Sequence, residues 1–244
     1  MNIRLLISIL IVLVVSLGAN VFLYTNSMSL YRQLLSMKIN PTGKAFDKRV
    51  SATNASAYAK TIIYFGDSRI SQWDRYNSDH GVQVVNAGSP GDTSAMALMK
   101  LDANVISYKP DVVVVQIGIN DMKAIGVMPD EKEFILDNYK NNLNQILDAL
   151  SSENIDVILL TIFPVGDIDL LRKFVWSSDV TESINEINRY ILSLSHQNLT
   201  VVDCDKLFST NGRMNPEYQV DSFHINKLGY EMLNDFLEPY LRKL

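Results

Sequence analysis

The alternation of apolar runs and amphipathic segments over residues 61–244 constrains the fold of this chain most. Five short runs rich in valine, isoleucine and leucine predict β-strands: Thr61–Phe65, Val82–Asn86, Asp111–Ile117, Ile155–Ile162 and Leu199–Cys204. Three longer segments carry apolar residues at helical spacing: Glu131–Leu150, Thr181–Leu194 and Lys227–Leu241. Apolar strands that alternate with such helices predict a parallel sheet covered on both faces, and hence a doubly wound α/β domain.

A separate apolar run lies near the N-terminus, where residues 5–24 carry no charge. As a helix this run would be about 30 Å long, which matches the hydrocarbon core of a bilayer. A signal peptide usually has a shorter apolar region, and here the small residues of a possible cleavage site, Ser16-Leu-Gly18, lie inside the run. We therefore favour a retained transmembrane anchor, with secretion after signal cleavage as the alternative.

These features divide the chain into three parts. Residues 1–26 form the predicted anchor, residues 27–59 a stalk and linker that contains the helix-breaking Pro41-Thr-Gly43, and residues 60–244 the globular domain. Cationic residues flank the apolar run on both sides and do not decide its orientation. Because such a short N-terminal tail usually acts as an export signal, we expect the domain outside the cytoplasm, in the periplasm or at the cell surface.

The charge and cysteine content exclude other classes of protein. The formal net charge is −5 and no basic stripe is present, so a nucleic-acid partner is not expected. Cys204 is the only cysteine, which excludes an intrachain disulfide and a cysteine-based zinc cluster. The spacing Gly88-x-x-Gly91 does not match the dinucleotide fingerprint G-x-G-x-x-G, and it follows the second predicted strand.

Polar motifs follow three of the predicted strands. Gly66-Asp67-Ser68 follows the first strand and places a serine at the sheet edge where α/β proteins bind ligands. Asn86-Ala-Gly-Ser-Pro-Gly91 follows the second, and its glycines let backbone N–H groups approach a ligand. Gly118-Ile-Asn120 follows the third, and an asparagine amide there can donate to an oxyanion. Each motif taken alone is more typical of an ordinary turn.

A carboxylate and an imidazole precede the last predicted helix in Asp221-Ser-Phe-His224. At this spacing the carboxylate can accept from one imidazole nitrogen and leave the other free as a general base. The other histidines, His80 in a polar loop and His196 at a helix end, are expected to be solvated. A lone Asp-x-x-His pair is more often structural, so this motif also needs support from the others.

Taken together and in this order, the four motifs resemble those of the SGNH/GDSL hydrolase family over residues 60–244. The resemblance implies a flavodoxin-like three-layer α/β/α sandwich with a five-stranded parallel sheet. It also implies an ester hydrolase that needs neither a metal nor a cofactor. In that case Ser68 is the nucleophile, His224 the general base and Asp221 the carboxylate that orients the base.

The same resemblance assigns the supporting residues of the site. The oxyanion hole would consist of the N–H groups of Ser68 and Gly91 and the side chain of Asn120, with Asp67 and Asn86 as structural supports. The chain departs from the common pattern at Arg69, where many members of the family carry a smaller or apolar residue. We expect Arg69 to point to solvent, because arginine side chains are usually exposed; contact with an anionic substrate group is the alternative.

The substrate is suggested only by one loop. Residues 163–179 contain the apolar side chains Leu170, Leu171, Phe174, Val175 and Trp176, which would line an acyl channel or pack as a short helix on the domain. With the anchor, this loop favours acyl-ester or lysophospholipid substrates over short-chain deacylation of an envelope carbohydrate. Two other functions stay open: transfer of the acyl group to a sugar hydroxyl, and a catalytically silent, membrane-anchored binding domain.

Overall fold

The computed structural model describes residues 2–39, 60–73, 82–170 and 172–241. Most of the predicted linker, including Pro41-Thr-Gly43, lies outside the described residues, as do His80, Leu171 and the side chain of Phe174. The chain divides into two units, Met1–Met37 and Lys38–Leu244. The first unit is helical, and the second contains the α/β domain.

The first helix, α1 (Ile3–Ile39), contains the long apolar run and continues beyond it into the predicted stalk. It is long and apolar enough to cross a membrane, and its most apolar window has no buried residues. A signal sequence near an N-terminus meets the same criteria. The helix is therefore a candidate membrane span.

The second unit is built on a parallel sheet of five strands in the order β2-β1-β3-β4-β5. The strands are β1 (Lys60–Gly66), β2 (Val82–Gly88), β3 (Val112–Gln116), β4 (Asp156–Leu160) and β5 (Leu199–Val202). The helices are α2 (Ser68–Ser71), α3 (Ser94–Asn104), α4 (Ile119–Ile125), α5 (Lys132–Ser152), α6 (Ser178–Ser193), α7 (Cys204–Phe208) and α8 (Lys227–Leu241). A short hairpin of β6 (Ser209–Thr210) and β7 (Arg213–Met214) precedes α8.

Helices cover both faces of this sheet. On one face, alternate residues of the central strands pack against buried leucine and tyrosine residues of α8. On the opposite side α3, α4, α5 and α6 pack against one another, and each of them contributes buried residues. Every residue of β3 is buried, as a strand covered on both faces requires. The arrangement confirms the predicted three-layer α/β fold with a five-stranded parallel sheet.

Some predicted element boundaries were wrong. The fourth strand ends at Leu160 rather than Ile162, and the fifth ends at Val202 rather than Cys204. Apolar residues continue beyond each strand because the chain returns to the core there, with Ile162, Phe163 and Cys204 almost inaccessible. Apolar character reports burial and therefore does not show where the backbone hydrogen bonding of a strand ends.

The parallel sheet brings the polar motifs to one edge, because the carboxyl ends of all five strands lie there. Strand β1 is flanked by β2 and β3, and Gly66 is in register with Gly88 and Gln116. Gly66 has a φ of +155°, and a Cβ atom there would lie 1.8 Å from the carbonyl oxygen of Gln116. Only glycine fits this close approach, so it lets the chain leave β1 and start α2 at Ser68.

Candidate active site

The structure brings three of the predicted site residues into one hydrogen-bonded line. The hydroxyl oxygen of Ser68 lies 2.8 Å from Nε2 of His224. On the other side of the same ring, Nδ1 lies 3.1 and 3.0 Å from the two carboxylate oxygens of Asp221. A serine, an imidazole and a carboxylate in this order can activate the hydroxyl as a nucleophile.

The turn between Asp221 and His224 holds the carboxylate in place. Oδ1 of Asp221 accepts hydrogen bonds from the N–H groups of Phe223 and His224, both at 3.0 Å, and Nη2 of Arg172 lies 3.3 Å from Oδ2. Partial burial by itself raises the pKa of Asp221, but the hydrogen bonds from Phe223 and His224 hold it well below its usual value. The carboxylate is therefore ionised near neutral pH and can stabilise a positively charged imidazolium.

The predicted oxyanion donors follow the strands on either side of β1. Gly91 has a φ of +79° and lies in the loop after β2. Asn120 lies in the first turn of α4, and its Nδ2 donates to the carbonyl of Asp92, 2.8 Å away, in that same loop. Within the described part of the chain, no hydrogen bond uses the N–H of Ser68 or of Gly91. Both N–H groups and the second amide hydrogen of Asn120 are thus without an acceptor among the described residues.

The two predicted structural supports, Asn86 and Asp67, are both fixed by hydrogen bonds near the carboxyl edge of the sheet. Nδ2 of Asn86 donates to the carbonyl of Ile70 at 2.8 Å and Oδ1 accepts from the N–H of Gly88 at 2.9 Å, which joins the end of β2 to α2. Asp67 is fully buried and caps α2, because its Oδ1 accepts from the N–H of Arg69. Burial raises the pKa of Asp67, and the nearby Arg69 guanidinium opposes that shift.

Arg69 does not point to solvent, and that prediction was wrong. Its side chain is only 1% exposed. Nε donates to the carbonyl of Phe223 at 2.9 Å, and the guanidinium carbon lies 4.9 Å from the centre of the Phe163 ring. The carbonyl of Arg69 accepts from the Tyr230 hydroxyl at 2.6 Å. The residue next to Ser68 is therefore bonded to the residue next to His224.

The arginine is buried because the short helix α2 turns the residue after Ser68 inward, beneath the loop that carries His224. Burial lowers the pKa of Arg69, and the charge of Asp67 opposes this effect. The sequence contains no local signal for such a position, because the acceptor lies 154 positions further along the chain.

Comparisons with known proteins agree with this geometry. The model of the GDSL-like Lipase/Acylhydrolase family matches residues 51–232. The chain belongs to this family. No curated protein sequence matches it significantly.

Solved structures share the fold of this GDSL-like protein at low sequence identity. A putative platelet activating factor from Streptococcus pneumoniae is 18% identical, with a TM-score of 0.60 over 92% of this chain and 99% of that one. A GDSL-like lipase from Bacteroides thetaiotaomicron is 20% identical, with a TM-score of 0.59 over 75% and 88%. The Axe2 acetylxylan esterase from Geobacillus stearothermophilus, in a mutant form, is 21% identical, with a TM-score of 0.51 over 75% and 94%.

Asp121 has a structural role that the sequence does not indicate. It follows Asn120 in α4, is fully buried, and accepts hydrogen bonds from the N–H of Ser94 at 2.9 Å and from its hydroxyl at 2.6 Å. The carboxyl thereby joins the start of α3 to the start of α4, behind the Gly91 loop of this GDSL-like fold. Burial raises the pKa of Asp121 to about 7, although both hydrogen bonds from Ser94 oppose the shift.

This raised pKa predicts a pH-dependent contribution to stability. The folded state binds the Asp121 proton more tightly than the unfolded state, whose pKa is near 3.8. The contribution is therefore complete below about pH 4 and is lost as the pH rises to about 7. Asp121→Asn should remove it, so the variant's free energy of unfolding should rise relative to wild type between these two pH values.

Urea unfolding of the full-length protein in detergent, followed by tryptophan fluorescence, measures this difference. Asp148→Asn, which changes an exposed carboxylate on α5, is the matched control and should show no such trend. A difference between Asp121→Asn and wild type that is constant with pH would contradict the assignment.

A cavity of about 580 Å³ adjoins the site without containing its central residues. It lies beside the loop after β4 and is lined by Trp176, Thr181, Asn185, Asp205 and Arg213 among others. Its wall is joined to the Asp221 turn, since the Ser222 hydroxyl donates to the carbonyl of Asp167 at 2.9 Å. Among the described residues, no group of three or more histidine, cysteine, aspartate and glutamate side chains could hold a metal ion.

Proposed function

We propose that this GDSL-like protein is a serine ester hydrolase in which Ser68 is the nucleophile, His224 the general base and Asp221 the residue that orients the base. The observation that carries the proposal is the 2.8 Å contact between the Ser68 hydroxyl and Nε2 of His224. The family supports the class of reaction, because its description combines lipases and acylhydrolases.

The proposed reaction proceeds through an acyl-enzyme. His224 removes the hydroxyl proton as the Ser68 oxygen attacks the ester carbonyl, and the oxyanion accepts hydrogen bonds from the N–H groups of Ser68 and Gly91 and from the Asn120 amide. His224 then gives the proton to the leaving alcohol, and a water molecule hydrolyses the acyl-enzyme by the same route. Asp221 remains ionised and stabilises the imidazolium in both halves.

The substrate we infer is an acyl or acetyl ester of a lysophospholipid-like molecule or of an envelope carbohydrate. The loop after β4 offers apolar surface, because Leu170 is 73% exposed and the Trp176 ring stacks on Phe223 with a centroid distance of 6.2 Å. The acetylxylan esterases with a similar fold make acetyl groups on carbohydrate a natural first test.

We also propose that residues 1–26 remain as a membrane anchor, that residues 27–59 act as a stalk and linker, and that residues 60–244 lie outside the cytoplasm. The length of the apolar part of α1 supports a retained anchor. In this arrangement the hydrolase would meet esters of the membrane surface or the cell envelope.

Labelling with a fluorophosphonate probe tests the reaction. We expect the full-length protein to be labelled in the membrane fraction, Ser68→Ala to be unlabelled, and Ser193→Ala, which changes an exposed serine at the end of α6, to be labelled like wild type. Label in the culture medium would instead indicate signal cleavage. Folded wild-type protein that fails to label would refute the proposal, and ester turnover that depends on an added sugar acceptor would replace hydrolysis with acyl transfer.

A further inference from the structure

A lysine that the proposed reaction does not use lies beside the oxyanion donors. Lys123 is on α4, one turn after Asn120, and its Nζ lies 3.4 Å from Oδ1 of Asn120 and 4.4 Å from the centre of the Phe223 ring. Within the described residues no carboxylate lies within 4.0 Å of this ammonium group. Burial, together with the positive charges of Arg69 and Arg172, lowers the pKa of Lys123 to about 8.

A second cation approaches the same ring from the loop after β4. The guanidinium carbon of Arg172 lies 4.3 Å from the centre of the Phe223 ring. Its Nη2 contacts Asp221, and its Nε contacts Asp169, each at 3.3 Å. The third nitrogen, Nη1, is buried and has no hydrogen-bond partner among the described residues. Arg172 therefore carries, next to the Asp221 turn, one donor that no described protein group satisfies.

Both cations contact Phe223, and this aromatic residue places them close to the base. Phe223 directly precedes His224, and the two rings are 4.8 Å apart. The ring face gives Lys123 only about 0.5–2 kcal/mol of compensation, less than a partly buried charge without a carboxylate partner requires. An anionic group next to the Phe223 ring would lie within Coulombic reach of both cations.

We propose that Lys123 and Arg172 bind an anionic group, a phosphate or a carboxylate, on the alcohol part of the ester. This inference rests on the proposed function and adds the charge of its substrate. The alcohol part is indicated because His224 must reach the leaving oxygen, so the groups attached to that oxygen pass the neighbouring Phe223. The lysine acts as a point charge, whereas the arginine offers a directed N–H donor.

Structural roles alone make a different prediction from a binding role. If their roles are only structural, Lys123 orients the Asn120 amide and Arg172 orients Asp221. Loss of either residue would then slow the hydrolysis of all esters by the same factor. A binding role changes the preference between a charged and a neutral ester. The informative quantity is therefore the ratio of kcat/KM for two esters that differ in one anionic group.

Two matched pairs of acetyl esters test the proposal on the full-length protein in detergent. The first pair is 5-acetoxy-2-nitrobenzoate and 4-nitrophenyl acetate, and the second is acetylglycerol 3-phosphate and acetylglycerol. Wild type should prefer the anionic member of at least one pair. Lys123→Met should lower that ratio about tenfold, which corresponds to one charge-assisted hydrogen bond, and added salt should reduce the ratio in wild type.

The controls separate this proposal from the one on which it rests. Lys140→Met, which removes a lysine paired with Glu186 on the surface of α5, should keep the wild-type ratio, and Lys123→Arg should keep most of it. A change confined to one pair identifies that anion as the one recognised. Ratios in Lys123→Met that equal wild type for both pairs would overturn the anion site, while Ser68-dependent hydrolysis of the neutral esters would still support the hydrolase.

Discussion

Replacing His224 by alanine is expected to lower kcat for 4-nitrophenyl acetate by about 10⁴- to 10⁶-fold. Nε2 of His224 is the imidazole nitrogen in contact with the Ser68 hydroxyl. His196 cannot replace it, because it lies in the connection between α6 and β5. Without the base, the hydroxyl attacks as a neutral alcohol, and the oxyanion donors supply the remaining catalysis.

A double-variant comparison makes this prediction specific. Because Ser68 and His224 act as one unit, the Ser68→Ala/His224→Ala double variant should be about as slow as either single variant. His196→Ala is the matched control and should keep wild-type kcat. Turnover by His224→Ala within tenfold of wild type would contradict the assigned base, and strictly additive losses would contradict the shared role.

Replacing Arg69 by methionine is expected to lower the free energy of unfolding by about 1–3 kcal/mol, the cost of leaving a buried acceptor without its donor. The methionine removes the donor to the Phe223 carbonyl and leaves the fully buried Asp67 without its nearby counter-charge. Denaturant unfolding of the full-length protein, monitored by the fluorescence of the buried Trp73, measures the change. Arg69→Met/Asp67→Asn should recover part of the loss, because neither charge is then left alone.

Arg69→Met should also reduce activity through the position of His224. Arg69 is bonded to Phe223, so it acts on the base without touching the ester, and kcat should fall more than KM changes. Arg69→Lys should keep less activity than a purely electrostatic role of Arg69 predicts, since an ammonium lacks the planar guanidinium donors. Arg213→Met, at an arginine whose side chain is 72% exposed, is the control and should alter stability by less than about 0.5 kcal/mol. Equal stability of Arg69→Met and wild type would contradict the positioning role.

Most of the fold could be predicted from the local pattern of the sequence. The apolar run of β3 is buried at every position, and α8 has the bounds that its helical spacing predicts. The end of β4 could not be predicted, because Thr161–Phe163 remain buried after the strand hydrogen bonding has ended. Local patterns report which side chains are buried, and a continuous buried run hides the point where a strand becomes a loop.

The sequence predicted the part of the candidate site whose residues directly follow a strand. Ser68, Gly91 and Asn120 follow β1, β2 and β3, and a parallel order of those strands is enough to bring the three loops to one edge. Asp221 and His224 are only three residues apart, so a local turn is enough to bring them into contact. The 2.8 Å approach of His224 to Ser68 needs the packing of α8 on the sheet, across 156 positions.

The sequence by itself therefore determined the order of the five strands and of three of the helices along the chain, and the residues at the carboxyl edge, because spacing and turn chemistry act over a few positions. Only the tertiary structure decided which cations are buried or meet at one ring. Arg69 is buried under Phe223, and Lys123 from α4 and Arg172 from the loop after β4 meet at the same ring. The burial of a charged side chain depends on acceptors and rings in distant segments of the chain, and local sequence periodicity does not predict such contacts.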